Sequence, residues 1–207
     1  MKPVSSATLV ALLFVGPAQG HAGVQSESVS DDPAVLRAVI KHTILPTHRR
    51  THPNAAEALP LVRASDPLCR QRSQAPEVCR IPDQWQQFLV PNPSHNWPGL
   101  VDDPGTRRDL VASFETRNAE SRPLPLSAVS GVVIVESRAA QPDGAGGTDS
   151  QTPPFGRLSL PGYSAEGYAM VSGSYSCGGL CGYGWLFVLR KDSGQWRVLS
   201  ATVTAIS

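Results

Sequence analysis

The sequence predicts an α+β fold in which N-terminal helices pack on a C-terminal antiparallel β-meander, and three observations carry the prediction. Asp-Pro pairs at 32–33 and 103–104 each open a run of apolar residues at helical spacing. After Pro125 the chain changes character to short β-branched or alternating segments separated by glycine turns. The chain has 207 residues, 41% of them hydrophobic and 17% charged, enough to bury about 70% of its unfolded-chain surface around one core.

The first element is a targeting segment. Lys2 is followed by the apolar run Ala7 to Val15 and then by the breakers Gly16 and Pro17, the pattern of a secretory signal peptide over residues 1–20. The run is about half the ~20 residues a spanning helix needs, so no transmembrane anchor is expected. Small residues permit cleavage after Gly20 or after Ala22. Residues 21–30 are polar and read as a flexible N-terminal segment, and residues 31–207 as a single globular domain.

Within that domain Asp32 is placed to cap a helix whose first turn holds Pro33, with Val35, Leu36, Val39, Ile40 and Ile44 on one face and Pro46 as its end. From His48 to Arg80 the chain is basic and proline-rich, which predicts mainly loop with a short helix at Asn54 to Leu59. A second short helix is expected at Pro82 to Leu89, with Trp85, Phe88 and Leu89 on one side. Asp103 and Pro104 repeat the start signal for a helix with Leu110, Val111 and Phe114 inward, stopping near Asn118.

The strands follow. Gly131 to Glu136 is short and β-branched, and residues 138–154 form a flexible surface loop rich in Gly, Pro, Ser and Asp. A short strand near Arg157 to Leu160 precedes three longer ones at Tyr168 to Cys177, Tyr183 to Lys191 and Gln195 to Ile206. Asp192, Ser193 and Gly194 are hairpin chemistry for a three-residue or bulged turn. In the strand from Tyr183, the side chains of Trp185, Phe187 and Leu189 point one way and those of Leu186 and Val188 the other, as in a central strand covered on both faces.

Four cysteines in an exported chain fit disulfides, and the local pairing Cys69 with Cys79 and Cys177 with Cys181 is favoured. The Gly-rich spacer of the second pair suits a tight turn that sets the two Cα atoms ~4.5–5.5 Å apart. The alternative for this pair, a redox or zinc site, lacks the two-residue spacer or the two further ligands it requires.

The last fifty or so residues combine an alternating strand, the Cys177-Gly178 and Cys181-Gly182 turn, an apolar strand closing on Leu189, Lys191 and Gly194, then Trp196, Val198 and Ile206-Ser207. On these features the last quarter of the chain is similar to the ending of small exported bacterial proteins, a group that supplies no catalytic residues to carry over. A weaker likeness is to nuclear transport factor two-like domains, which implies helices packed into a curved sheet. Such sheets host enzymes and binding proteins alike.

Composition and motifs exclude more than they assign. With 18 Lys+Arg against 17 Asp+Glu the formal charge is +1, which excludes a protein that coats nucleic acid by neutralising phosphates. His21 would become an N-terminal copper-chelating residue after cleavage at Gly20, a site that needs a second histidine in space. His42, His48 and His52 lie beside Arg49 and Arg50, but Pro46 breaks any shared helix face and a solvated basic loop is the simpler reading. Gly162-Tyr163-Ser164-Ala165 approaches a nucleophile elbow, yet position 166 is Glu and a plain β-turn is expected. The acidic pairs Asp31/Asp32 and Asp102/Asp103 precede prolines, so capping explains them without paired-carboxylate catalysis. Of the tryptophans, Trp85, Trp185 and Trp196 read as buried, and Trp97, in a proline-rich loop, is the expected ligand surface.

With no complete catalytic set and no cofactor motif, the reading is a secreted or periplasmic monomer that binds a protein, peptide or glycan without catalysis. The alternative is a secreted hydrolase whose residues converge only in three dimensions.

Overall fold

The computed structural model describes residues 24–53, 58–68, 80–90, 101–126, 129–136, 153–178 and 181–207. Cys69, Cys79, Trp97, His21 and residues 138–152 of the expected loop lie outside the described residues, as does the cleavage region. The architecture is α+β: a few N-terminal helices lie on a mostly antiparallel, curved and unclosed sheet.

Helix α1 spans Val24–Val39, so it starts eight residues before the expected Asp32 cap and carries Pro33 in its interior. Asp32 is therefore no cap, and its carboxylate is used elsewhere. One wide π turn at Ile40–Ile44, closed by Leu45 N–H on Ile40 O, leads directly into α2, Leu45–Thr51. Pro46 thus does not end the helix, contrary to the sequence reading. A proline lacks an N–H and its ring crowds the carbonyl four residues back; widening the turn ahead of it relieves both problems. The basic segment after Pro46 is accordingly helical, not a solvated loop, and His48 is 3% exposed.

Strand β1, Leu59–Val62, stands where the sequence suggested the end of a short helix. Pro60 hides it, yet Pro60 fits. Leu59 N–H and Arg63 N–H donate to Gly131 O and Val135 O on β2, Val132–Val135. Alternation turns residue 60 to the other side, toward β3 (Phe155–Leu158), where β1 pairs only at Leu61↔Gly156. Both pairings of β1 are parallel, an addition to the expected meander.

The rest of the sheet follows the expected order. Strand β5, Tyr168–Gly178, pairs antiparallel with β3 along its second half and with the two-residue β4, Gly162–Tyr163, along its first. Then come β6, Cys181–Asp192, and β7, Gln195–Ile206, giving the order β2-β1-β3-β5-β6-β7. Asp192 pairs with Gln195 across a two-residue turn in which Ser193 (φ 50°) and Gly194 (φ 79°) are both left-handed, one residue tighter than a three-residue loop.

Each face of the sheet carries its own core. Trp185, Phe187 and Leu189 pack with Val35, Ile40 and Ile44 beneath the α1–α2 layer. Leu186 and Val188 point to the opposite face, where Leu110 and Phe114 of α4, Pro104–Arg117, join Ile81 and Leu89 beside α3, Asp83–Gln87. The alternation read in β6 is thus realised. Each fully buried Leu or Phe of these clusters contributes ~1.5–3 kcal/mol by leaving water.

Helix α4 is fixed at both ends. At its start Asp103 accepts the Thr106 N–H at 2.6 Å and the Thr106 hydroxyl at 2.9 Å, the expected cap. The Thr106 N–H, then its hydroxyl, hold the Asp103 carboxyl below the usual carboxylate value. At its end the wholly buried Asn118 amide donates to Phe114 O and Leu160 O and accepts from Leu160 N–H. This ties the helix to the break between β3 and β4. A side chain at Gly162 would meet the Phe114 backbone at 2.4–2.5 Å, so only glycine allows that approach.

Candidate functional site

Three groups of polar side chains come together among the described residues, and they differ in how far each is used up by the fold. In the first, Asp32 of α1 is 2% exposed and holds Arg117 of α4 through two contacts, Nη1 at 3.0 Å and Nη2 at 2.6 Å. The Tyr163 hydroxyl donates to the same carboxylate at 2.7 Å. Arg117 also donates to Pro161 O at 2.6 Å, and its guanidinium lies 5.2 Å from the Tyr163 ring centre. Burial, with the neighbouring Asp32 carboxylate, pushes the Tyr163 phenol far above its usual range, so it stays protonated and donating. Every charge here is answered by the protein. The group is a clamp that joins α1 to the end of α4 beside β4.

In the second group α2 brings His48, Thr51 and His52 over Tyr175 of β5. The Tyr175 hydroxyl lies 2.9 Å from His48 Nδ1, 3.0 Å from His52 Nδ1 and 3.1 Å from Thr51 Oγ1. The two imidazoles stack 5.4 Å apart. Tyr175 is 1% exposed, and burial raises its pKa, which is the wrong direction for a nucleophile or base. His42 stays outside this group, exposed and bonded to Thr43. No set of three or more metal-ligating side chains occurs among the described residues.

The third group is open. A cleft of about 430 Å³ lies between α4 and the α3 segment. Helix α4 supplies one stripe at helical spacing, with Arg107 and Arg108 near its N-terminal end, Val111 and Ala112 in the middle and Glu115 beyond. The other wall presents Arg80, Leu89 and Val90. Arg107 braces the preceding loop by donating to Val101 O at 2.6 Å and Asp102 O at 3.0 Å. Glu115 accepts Ile81 N–H at 2.9 Å, which holds the walls together at that end. Arg108 keeps 82% of its side chain in water, with Asp109 at 3.8 Å.

No family model, curated protein or solved structure matches the chain.

The sequence-predicted positions fall out unevenly against this geometry. Cys177 and Cys181 form a disulfide with Cα atoms 5.2 Å apart, within the expected separation. The register of β5 and β6 shifts there, so that Gly178, not Cys177, faces Cys181. Ser164 lies in a turn closed by Gly167 N–H on Ser164 O at 3.3 Å, as expected of a β-turn. Trp185 is 5% exposed, whereas Trp196 is only partly buried, between Tyr163 and Lys191. Of the cleft residues the sequence reading named Val111 and Leu89 as inward-facing; Arg107, Arg108 and Glu115 carried no signal, because charged residues on an amphipathic helix ordinarily face solvent.

Proposed function

We propose that the protein is a non-catalytic binding module of the cell envelope, exported to the periplasm or the medium, and that it captures its ligand in the α3–α4 cleft. The observation that carries this reading is the contrast between groups. Among the described residues His48 and His52 are engaged with Tyr175, and Asp32 with Arg117 and Tyr163, while the cleft gathers the exposed Arg80 and Arg108 with Arg107 and Glu115 around an open volume. The Cys177–Cys181 disulfide fits an oxidising compartment, and no helix among the described residues is long and apolar enough to cross a membrane. A protein, peptide or glycan ligand and a monomeric state are the working assignment.

The hydrolase alternative would place its chemistry at His48 and Tyr175, both almost wholly buried. A thermal-shift screen against peptides and glycans, run beside chromogenic ester, peptide and glycoside substrates, tests the choice. Stabilisation without turnover is expected. Turnover that disappears in His48→Ala would overturn the binding reading.

A further inference from the structure

The cleft itself says what it is built to hold. Its described walls carry three arginines against one carboxylate, an excess of two positive charges, beside an apolar strip of Val90, Val111 and Ala112. The charges are sorted along α4. Residues 107 and 108 stand near the positive end of the helix, and Glu115 lies two turns on, about 11–12 Å away at 1.5 Å rise per residue. Glu115 is already bonded to the Ile81 backbone, next to Arg80. The α4 wall is thus cationic at Arg107 and Arg108 and apolar beyond them at Val111 and Ala112.

We infer that the cleft binds a terminal carboxylate on an apolar chain, with the carboxylate between Arg107 and Arg108 and the chain along Val90, Val111 and Ala112. This inference rests on the reading of the cleft as a binding site and deepens it by naming the ligand chemistry. The geometry favours one anionic group at one end over a polyanion. A second negative charge farther along the α4 wall would lie over Val111 and Ala112 and approach the Glu115 carboxylate, where an unpaired charge is costly. A guanidinium suits a carboxylate because its planar fork donates two parallel bonds. Two sources share this chemistry, a free alkyl acid and the C-terminus of an apolar peptide.

The experiment is isothermal titration calorimetry on the full mature chain with decanoate, decanol, inorganic phosphate, and the peptide Leu-Val-Leu as free acid and as C-terminal amide. Binding is expected for decanoate or for the free-acid peptide, with decanol and the amide at least tenfold weaker. Decanoate alone points to an alkyl acid, and the free-acid peptide alone to a protein C-terminus. Arg108→Glu should weaken binding by at least tenfold with an unchanged melting temperature, since Arg108 is exposed and makes no bond to the core. Val111→Glu provides a second variant on the apolar strip and should also weaken binding. Equal affinity for acid and amide, or affinity indifferent to both substitutions, overturns the inference. If phosphate binds in an Arg108-dependent way and neither acid does, the ligand class falls while the cleft remains a binding site. If a probe is bound and consumed, the non-catalytic reading falls and the ligand class stands.

Discussion

Helix α4 carries arginines at both ends, and they live in opposite circumstances. Arg117, near the C-terminus, has 18% of its side chain exposed and is committed to Asp32, to Pro161 O and to the face of Tyr163. Arg108, two and a half turns earlier, has 82% exposed and only a long contact to its neighbour Asp109. The same residue type on one helix therefore serves the fold at one end and remains free to meet a ligand at the other. What separates them is the partner brought by the rest of the chain: α1 delivers a buried carboxylate to Arg117, whereas the segments flanking α3 bring Val90 and a further arginine, Arg80, to the cleft.

The sharpest way to break this contrast is to remove the clamp. Asp32→Ala leaves the Arg117 guanidinium partly buried without its counter-charge, and the expected loss is ~3–5 kcal/mol, read by urea denaturation. Tyr163→Phe keeps the ion pair and removes one hydrogen bond to a charged acceptor, so ~1.5 kcal/mol is expected in the same measurement. The buried tyrosines of the clamp and of the histidine cluster predict an alkaline limit. Tyr163 and Tyr175 both have pKa values raised by burial, so the unfolded chain ionises first; stability should hold below pH 10 and fall as the pH rises beyond it.

At the other end of α4 the effects shrink. Asp103→Ala removes the cap from Thr106 and should lower the melting temperature measurably. Because the Asp103 pKa is lowered in the folded state, its contribution is present above the ordinary value of 3.8 and is lost as the pH falls below that. The difference between Asp103→Ala and the parent protein should therefore narrow in acid, by scanning calorimetry. Arg108→Ala should change stability by no more than ~0.5 kcal/mol, in line with an exposed side chain. A large loss there would remove the distinction between the two arginines.

Much of the fold was legible because the signals were local. The alternation in Trp185 to Leu189 set both faces of β6, and Asp103-Pro104 marked the start of α4 to the residue. Asp32-Pro33 carried the same local signal and meant something else, since its partners Arg117 and Tyr163 lie 85 and 131 positions away and no local pattern encodes them. Strand β1 was hidden by Pro60, whose missing donor matters only if it faces a full ladder, a fact set by the neighbouring strands. The cleft was illegible for the same reason. One wall is a helix face that looks solvated by itself, and the other is a short segment whose position depends on Glu115 holding Ile81.

The most direct test of the distinction between a structural clamp and an open cleft is a two-dimensional amide NMR titration of the mature protein with decanoate. Shifts confined to residues 80–90 and 104–115, with Asp32, His48 and Tyr175 unmoved, are the result expected. Shifts centred on His48 and Tyr175, or none along α4, would contradict it.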